Sequence, residues 1–173
     1  MTKKEFINAV ANGKTDVLQV FLDAVTQIGA DYCVIGGFAV NAYAEPVVSL
    51  DLDIVVAATH IEAVCETATK HFKTERFPHS VNLSSSESDL RIQLRTDPRY
   101  QEFIPDATPR NVLGYKLKVA AVEDVLNGKV WAYSDQQQRM SKRQKDLADI
   151  ARLIEAYPDL AEVVPSEIRD KLR

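Results

Sequence analysis

Apolar residues recur at helical spacing near the amino terminus of this chain. Phe6, Ile7 and Val10 form a first short stripe, which predicts an amphipathic helix. A longer stripe runs from Val17 to Ile28 and predicts a second helix, which Gly29 ends because glycine adopts the left-handed conformation that terminates helices. These two helices account for residues 1–29.

Two short apolar runs then predict buried strands at residues 32–35 and 50–57, with a helix at residues 38–43 between them. A third helix is expected at residues 61–71, with Thr59 as its N-cap. Residues 72–94 alternate between apolar and polar side chains, which predicts further strands. The chain therefore switches repeatedly between helical and extended patterns, as expected of an α/β protein.

The carboxyl-terminal third is predicted to be helical, over residues 122–157 and again over residues 166–172. The segment between them and the strands, residues 96–109, contains three prolines and is interpreted as a connection within the domain. No internal repeat is visible. We expect one domain over residues 1–173, made of amino-terminal helices (1–29), an α/β core (30–121) and a helical part (122–173).

Two polar features stand out against the central strands. Gly36 and Gly37 follow the first strand directly, and Asp51 and Asp53 lie at the start of the second. Only glycine lets an anion approach the backbone closely at a strand-to-helix turn, and the N–H groups of a helix start attract phosphate. Residues two apart in a strand share a face, so the two carboxylates should lie side by side, near the glycines.

Two neighbouring carboxylates repel each other unless a cation lies between them. A ligand set made only of oxygens suits a hard ion such as Mg²⁺. An Asp-x-Asp pair also occurs in solvated turns, but here the intervening and following residues, Leu52 and Ile54 to Val56, are apolar. The arrangement favours a metal-dependent phosphoryl or nucleotidyl transferase.

The segment IGGFAVNAYAEPVVSLDLDIVVA resembles the core motif of the nucleotidyltransferase-fold superfamily, in the branch related to the AbiEii/AbiGii-type toxin nucleotidyltransferases. The pattern of that branch is Gly-Gly, a short helix, and then Arg-x-Thr/Ser-x-Asp-x-Asp. The residues that match it are Gly36, Gly37, Ser49, Asp51 and Asp53. Val47 stands where the pattern has arginine, so the contact of that arginine is either missing or supplied by another residue.

The resemblance continues in the carboxyl-terminal half and covers roughly residues 30 to 157. Lys129 matches a lysine on a helix, and Asp146 and Asp149 match the acids of a Lys-Asp-x-x-Asp motif. The resemblance implies that Lys129 and Asp146 complete an active site with Asp51 and Asp53. It also implies that Gly36, Gly37, Ser49 and Lys129 contact a nucleoside triphosphate.

Many nucleotidyltransferases of this fold carry a third metal-binding carboxylate on a neighbouring strand. The strand with Leu90, Ile92 and Leu94 on one face has no acid on the other; Asp89 precedes its centre and Asp97 follows its end. Either one of these acids reaches the metal, or Asp146 supplies the third acid, or the site is partly degenerate; we favour Asp146. The polar face of that strand either lines a phosphate-binding groove or is simply solvated, and it consists of Arg91, Gln93 and Arg95.

Charge and composition narrow the range of functions. The net charge of −4 argues against a broad nucleic-acid-binding face, although basic residues cluster beside the predicted acids. That cluster fits either a phosphate-rich ligand or a solvated helix start, and consists of Arg139, Lys142, Arg143 and Lys145. Cys33 and Cys65 are interpreted as buried thiols of a reducing compartment. With no signal-like or membrane-spanning run, we expect a soluble cytoplasmic protein.

The sequence thus predicts a nucleotidyltransferase-like α/β (α+β) fold, with a small mixed twisted sheet, flanking helices and a C-terminal helical part. The expected activity is transfer of a nucleotidyl group from an NTP to a hydroxyl of RNA, protein or a small molecule, with Mg²⁺ or Mn²⁺ held by Asp51 and Asp53. A toxin-like role with a cognate antitoxin partner follows from the resemblance. The alternatives are a nucleotide-binding protein that has lost transfer, and an interaction component of a toxin–antitoxin pair.

Overall fold

Seven strands form one mixed sheet in the computed structural model, which describes residues 1–173. The order across the sheet is β3-β4-β5-β2-β1-β7-β6. Strand β1 runs parallel to β7 and β2 runs parallel to β5, whereas the other neighbours are antiparallel. The strands are β1 Tyr32–Ile35, β2 Asp51–Val56, β3 Lys73–Phe77, β4 Ser80–Ser85, β5 Ser88–Arg95, β6 Thr108–Val112 and β7 Tyr115–Val119.

Helices flank this sheet and make up the carboxyl-terminal part, as the sequence predicts. The α-helices are α1 Lys3–Val10, α2 Val17–Ile28, α3 Gly36–Tyr43, α4 Ile61–Ala68, α5 Val122–Ser134, α6 Met140–Ala156 and α7 Ser166–Arg169. Short 3₁₀ helices cover Ala58–His60, Pro98–Phe103, Pro158–Val163 and Asp170–Leu172. None of these helices combines the length and the apolar character that crossing a membrane requires.

The two central strands bring the glycines and the acids together. Both are almost fully buried, and apart from Asp51 and Asp53 at the start of β2 their side chains are largely apolar. They pair antiparallel, and Ile35 at the end of β1 lies opposite Asp53 near the start of β2. Gly36 follows Ile35 directly. The end of one strand and the beginning of the next therefore meet at the same edge of the sheet.

The amino-terminal helices follow the predicted stripes only in part. In α2 the stripe is buried, except for the partly buried Ile28, and Gly29 ends the helix with a φ of +73°. In α1 only Ile7 is buried, whereas Phe6 and Val10 are 47% and 40% exposed. The predicted helix is therefore present, but of its stripe only Ile7 packs into the core.

Helix α4 begins as predicted but is shorter, and it ends at Ala68 rather than at residue 71. Thr59 is not its N-cap. A 3₁₀ turn over Ala58–His60 leads directly into α4, so His60 holds the capping position without a side-chain cap. The Thr59 hydroxyl instead hydrogen-bonds Nδ1 of His60 at 3.1 Å.

Candidate active site

Helix α3 starts directly at the glycine pair, without the separate turn that the sequence predicts before residue 38. Gly36 has a φ of +71°, which only glycine adopts without strain, and it is packed against the side chain of Asp53. No side chain caps the first turn of α3, so its backbone N–H groups are left for another partner. This helix start fits an anion next to Asp53.

Replacing Gly36 by alanine should cost about 2 kcal/mol of unfolding free energy. The new methyl group would lie about 3.0 Å from Asp53 Cβ and 3.1 Å from its Cγ, and the left-handed backbone would be strained. Gly37→Ala is the matched control, since its methyl group would meet Ser49 Oγ at an ordinary 3.7 Å and Gly37 has no positive φ. Urea denaturation of both variants measures the difference; equal stabilities would show that Gly36 tolerates a side chain.

Asp51 and Asp53 lie side by side as predicted, but each is paired with an arginine of β5. Arg91 binds Asp51 with two hydrogen bonds, from Nε to Oδ1 at 2.8 Å and from Nη2 to Oδ2 at 3.3 Å. Arg95 binds Asp53 through Nε to Oδ1 at 3.0 Å. The repulsion expected between the two carboxylates is therefore offset here by two guanidinium groups. The parallel register of β2 and β5 explains the pairing, because it sets Asp51 opposite Arg91.

Lys129 lies in the cleft, where the resemblance implies. Its ammonium group donates to Asp146 Oδ1 at 2.8 Å and forms an ion pair of 2.8 Å with Asp149 Oδ2. All three side chains are almost inaccessible to solvent. The second oxygen of Asp146, Oδ2, is buried and has no hydrogen-bond partner. Helices α5 and α6 position this cluster, because both pack on α3 directly behind the glycine pair.

The charge state of Lys129 is fixed by its partners. Burial acts to lower the pKa of the Lys129 ammonium group, but the negative charges of Asp149 and Asp146 outweigh burial and raise that pKa above its ordinary value. Lys129 is therefore a permanent cation at neutral pH. It is suited to countering phosphate charge and not to removing a proton.

The loop before β2 is held by a residue that sequence reasoning did not single out. The amide of Asn41 accepts from the backbone N–H of Val47 at 2.9 Å and donates to its carbonyl at 2.7 Å. Arg152 of α6 donates to Asn41 Oδ1 at 2.8 Å, to Glu45 O at 2.5 Å and to Asp149 Oδ1 at 2.7 Å. The side chain of Val47, where the resemblance expects arginine, is largely exposed. The guanidinium of Arg152 on α6 therefore contacts this loop, whereas position 47 carries no arginine.

Two cavities meet at these residues. The smaller, of about 190 Å³, contains Gly37, Ser49, Asp51 and Asp53 in its wall. The rest of that wall contains Asp146, Asp149 and six basic side chains: Arg91, Lys129, Arg139, Lys142, Lys145 and Arg152. Of the basic cluster predicted near the acids, only Arg143 lies elsewhere, and it donates to Tyr133 O at 2.9 Å. The cationic lining next to a helix start fits a polyphosphate.

The larger cavity, of about 470 Å³, lies on the other side of the same acids. Gly36, Asp53, Lys129 and Asp146 contribute to it, so Asp53, Lys129 and Asp146 form a wall shared by both cavities. The rest of its lining mixes neutral and aromatic side chains, including His79, Tyr100, Trp131 and Gln138, with the charged residues Arg95, Asp97, Arg99, Asp135 and Lys142. The volume and mixed polarity suit a second, less charged ligand facing the first.

Trp131 contributes to packing at this cavity. Its ring stacks on Phe103 with centroids 5.4 Å apart, contacts Tyr100 at 5.4 Å, and lies 4.5 Å from the guanidinium carbon of Arg99. Tyr133 is buried. These contacts and this burial indicate that both residues serve packing within the fold.

The three candidates for a third acid have different surroundings in the structure. Asp89 accepts a hydrogen bond from Asn12, and Asp97 caps the 3₁₀ helix that begins at Pro98 and pairs with Arg99. Asp146, by contrast, lies in the wall of both cavities. No group of three or more His, Cys, Asp and Glu side chains in the chain is arranged to hold a metal ion.

Asp149 and Arg152 belong to the same charged face of α6 as Asp146. The resemblance included Asp149 in its motif, but the predicted active-site set did not, and Arg152 had no predicted role. Their spacing carried a usable signal, since residues three apart on a helix lie on one face. Three charged residues at that spacing, on a helix that buries Ile150 and Leu153, indicate a buried polar network.

Solved structures that are similar in fold to this chain include nucleotidyltransferase-like proteins. The lincosamide antibiotic adenylyltransferase LnuA, bound to lincomycin, aligns with a TM-score of 0.56 at 15% identity, over 82% of this chain and 98% of that one. The complex of ANT(2″)-Ia with adenylyl-2″-tobramycin aligns with a TM-score of 0.64 at 14% identity, over 91% and 97%. An antigenic nucleotidyltransferase-like protein from Paracoccidioides brasiliensis gives 0.54 at 19% identity, over 89% and 78%.

No protein-family model and no curated protein sequence matches the chain. The structural similarity therefore rests on the sheet order and the flanking helices rather than on sequence, and identities below one in five establish the fold alone. The AbiEii-type branch stays a prediction. The chain has a nucleotidyltransferase-like fold.

Proposed function

We propose that this protein transfers a nucleotidyl group from a nucleoside triphosphate to a hydroxyl group of an acceptor. The observation that carries the proposal is the smaller cavity, whose wall combines an uncapped helix start and the two strand carboxylates with Asp146, Asp149 and six basic side chains, so that basic groups outnumber acidic ones by six to four. A cavity of this charge is suited to a triphosphate, because arginine and lysine bind phosphate oxygens strongly.

Asp51 and Asp53 fit a divalent ion that arrives with the nucleotide. Both side chains reach the wall of the smaller cavity, and Mg²⁺ in proteins is usually held by one or two carboxylates together with substrate phosphates and water. Bound there, Mg²⁺ or Mn²⁺ would offset the negative charge of the phosphates. The arginines that neutralise both acids predict weak binding of the metal alone.

The chain's own residues would bind and orient the reactants. The backbone at Gly36 and Gly37 contacts the phosphates at the start of α3, and Ser49 borders the same space. Lys129 counters the charge that develops on the transferred group and on pyrophosphate as it leaves. The acceptor occupies the larger cavity, so its hydroxyl oxygen approaches the α-phosphorus across the shared wall.

Asp146 has two separate tasks in this arrangement. Its Oδ1 holds Lys129 at 2.8 Å and so orients the ammonium group. Asp146 also lines the larger cavity, and in the proposed reaction its carboxylate accepts the proton of the acceptor hydroxyl.

Transfer of label from each α-³²P nucleoside triphosphate to cellular RNA, protein and small-molecule fractions, with and without Mg²⁺, tests the proposal. We expect metal-dependent labelling of one fraction by the wild type and none by Asp53→Asn. The fraction that is labelled identifies the acceptor class. Labelling that persists in Asp53→Asn, or that is absent while no nucleotide binds, would contradict the proposal.

A nucleotide-binding protein without transfer activity is the second candidate. It is favoured by one observation, the pairing of both strand acids with arginine. It predicts that Mg²⁺ and nucleotide raise the melting temperature by mass action although no label is transferred. A toxin-like role, an antitoxin partner and a cytoplasmic location stay predictions from the sequence.

A further inference from the structure

The two arginines on the strand acids are held very differently. Arg91 is 63% exposed and contacts only Asp51 among charged groups, so it is free to turn towards a phosphate in the smaller cavity. Arg95 is 24% exposed and makes two kinds of contact. It binds Asp53 Oδ1 and also donates from Nη2 to Gln93 Oε1 at 2.8 Å. Arg95 is therefore the fixed member of the two.

The contacts of Arg95 use the oxygen that a second metal ion would need. Two-metal sites place two ions about 4 Å apart, and carboxylate oxygens bridge or surround both. Asp53 Oδ1 is already engaged by Arg95, and Asp53 Oδ2 faces Gly36. Gln93, the register partner of Asp53 on β5, is an amide rather than a carboxylate and is occupied by the same arginine.

The charges of the two acids and the two arginines also argue against a second metal ion at this site. Asp51, Asp53, Arg91 and Arg95 together carry no net charge, because two carboxylates meet two guanidinium groups. If a phosphate draws Arg91 away, one negative charge is left on Asp51 and the pair at Asp53 stays neutral. One divalent ion with the triphosphate then matches the charge of the site, whereas a second ion would face the guanidinium of Arg95 at close range.

We infer that Arg95 takes the place of a second divalent cation at Asp53, so that the site binds a single metal ion, carried in with the nucleotide. The inference rests on the proposed function, since it concerns the metal and nucleotide of the same site. Arg95 is here a cation fixed by Asp53 and Gln93. Its place beside the shared wall puts a positive charge next to the transferred phosphate without a second ion.

Electron paramagnetic resonance of Mn²⁺ with α,β-methylene-ATP, which is not cleaved at that bond, counts the bound ions independently of activity. We expect one Mn²⁺ per wild-type chain and one for Arg95→Lys, which keeps a cation. Arg95→Glu replaces the cation by a third carboxylate and should bind two. Two ions on the wild type would overturn the inference while leaving the proposed function intact, whereas failure of the wild type to bind any manganese–nucleotide complex would overturn both.

Binding of Mn²⁺ without nucleotide provides a second measurement. Arg95→Gln leaves Asp53 unpaired, and we expect its affinity for Mn²⁺ to rise at least about ten-fold over the wild type. Arg99→Gln is the matched control. Arg99 lines the larger cavity, as Arg95 does, but it pairs with Asp97 and not with Asp51 or Asp53. Circular dichroism melting confirms that each variant is folded. An unchanged affinity in folded Arg95→Gln, or an equal rise in Arg99→Gln, would overturn the inference.

Discussion

Lys129→Met should lower the free energy of unfolding by about 3–5 kcal/mol, because it leaves Asp146 and Asp149 without their shared cation in a largely buried cluster. In a chain of this length such a loss lowers the melting temperature by roughly 6 to 20 °C. Urea denaturation followed by circular dichroism measures it. An effect below 1 kcal/mol would show that water reaches the two acids.

A double variant separates the charge from the loss of packing. Lys129, Arg152, Asp146 and Asp149 together carry no net charge; Lys129→Met alone leaves one uncompensated negative charge. Adding Asp146→Leu restores neutrality, and we expect it to recover much of the lost stability, since apolar replacement of a buried ion pair is often neutral. Lys118→Met is the control: its pair with Asp31 is solvent-exposed and worth at most about 1 kcal/mol.

The same cluster sets how stability varies with pH. Because the pKa of Lys129 is raised in the folded protein, its contribution is fully present below the pKa of an unfolded lysine and is lost as the pH rises through the folded value. The contribution of Lys129 to the unfolding free energy should therefore be constant around neutral pH and decline in alkaline solution, which urea denaturation of the wild type over that pH range measures.

Local patterns were enough to place the two central strands, the glycine pair and the Asp-x-Asp pair. The apolar run at residues 32–35 predicts a strand that is buried inside a sheet. The acids lie at the start of a second run of this kind. Strand pairing then sets Ile35 opposite Asp53, which brings Gly36 to the acids. These features depend on short stretches of chain, so they can be predicted from local sequence patterns.

The pairing of the acids with arginine could not be predicted, because it depends on register between distant strands. Arg91 and Arg95 are 40 and 42 residues away from their partners, and a shift of one residue between β2 and β5 would turn them away. The bond from Arg152 to Asn41 spans 111 residues and depends on how α6 packs on α3. Such contacts arise from the packing of distant elements. The only trace of them in the local sequence is a set of charged residues on one face of a strand or helix.

Asp53→Asn and Asp51→Asn should both lose transfer by about a thousand-fold, which corresponds to about 4 kcal/mol of transition-state stabilisation. Their effects on folding should differ. Asp53 pairs with the mostly buried Arg95, so its replacement should cost about 1–3 kcal/mol of unfolding free energy. Asp51 pairs with the exposed Arg91, so its replacement should cost less than about 1 kcal/mol.

Asp51→Asn therefore isolates the chemistry from the fold. Neutralising Asp51 releases an arginine into solvent and leaves the rest of the smaller cavity in place, so the protein should melt close to the wild type while metal-dependent nucleotide binding and transfer are lost. Melting of the metal-free variant and labelled-nucleotide transfer by the same preparation measure both effects. A lowered melting temperature with unchanged nucleotide binding would mean that Asp51 serves the fold, and that its pairing with Arg91 is structural.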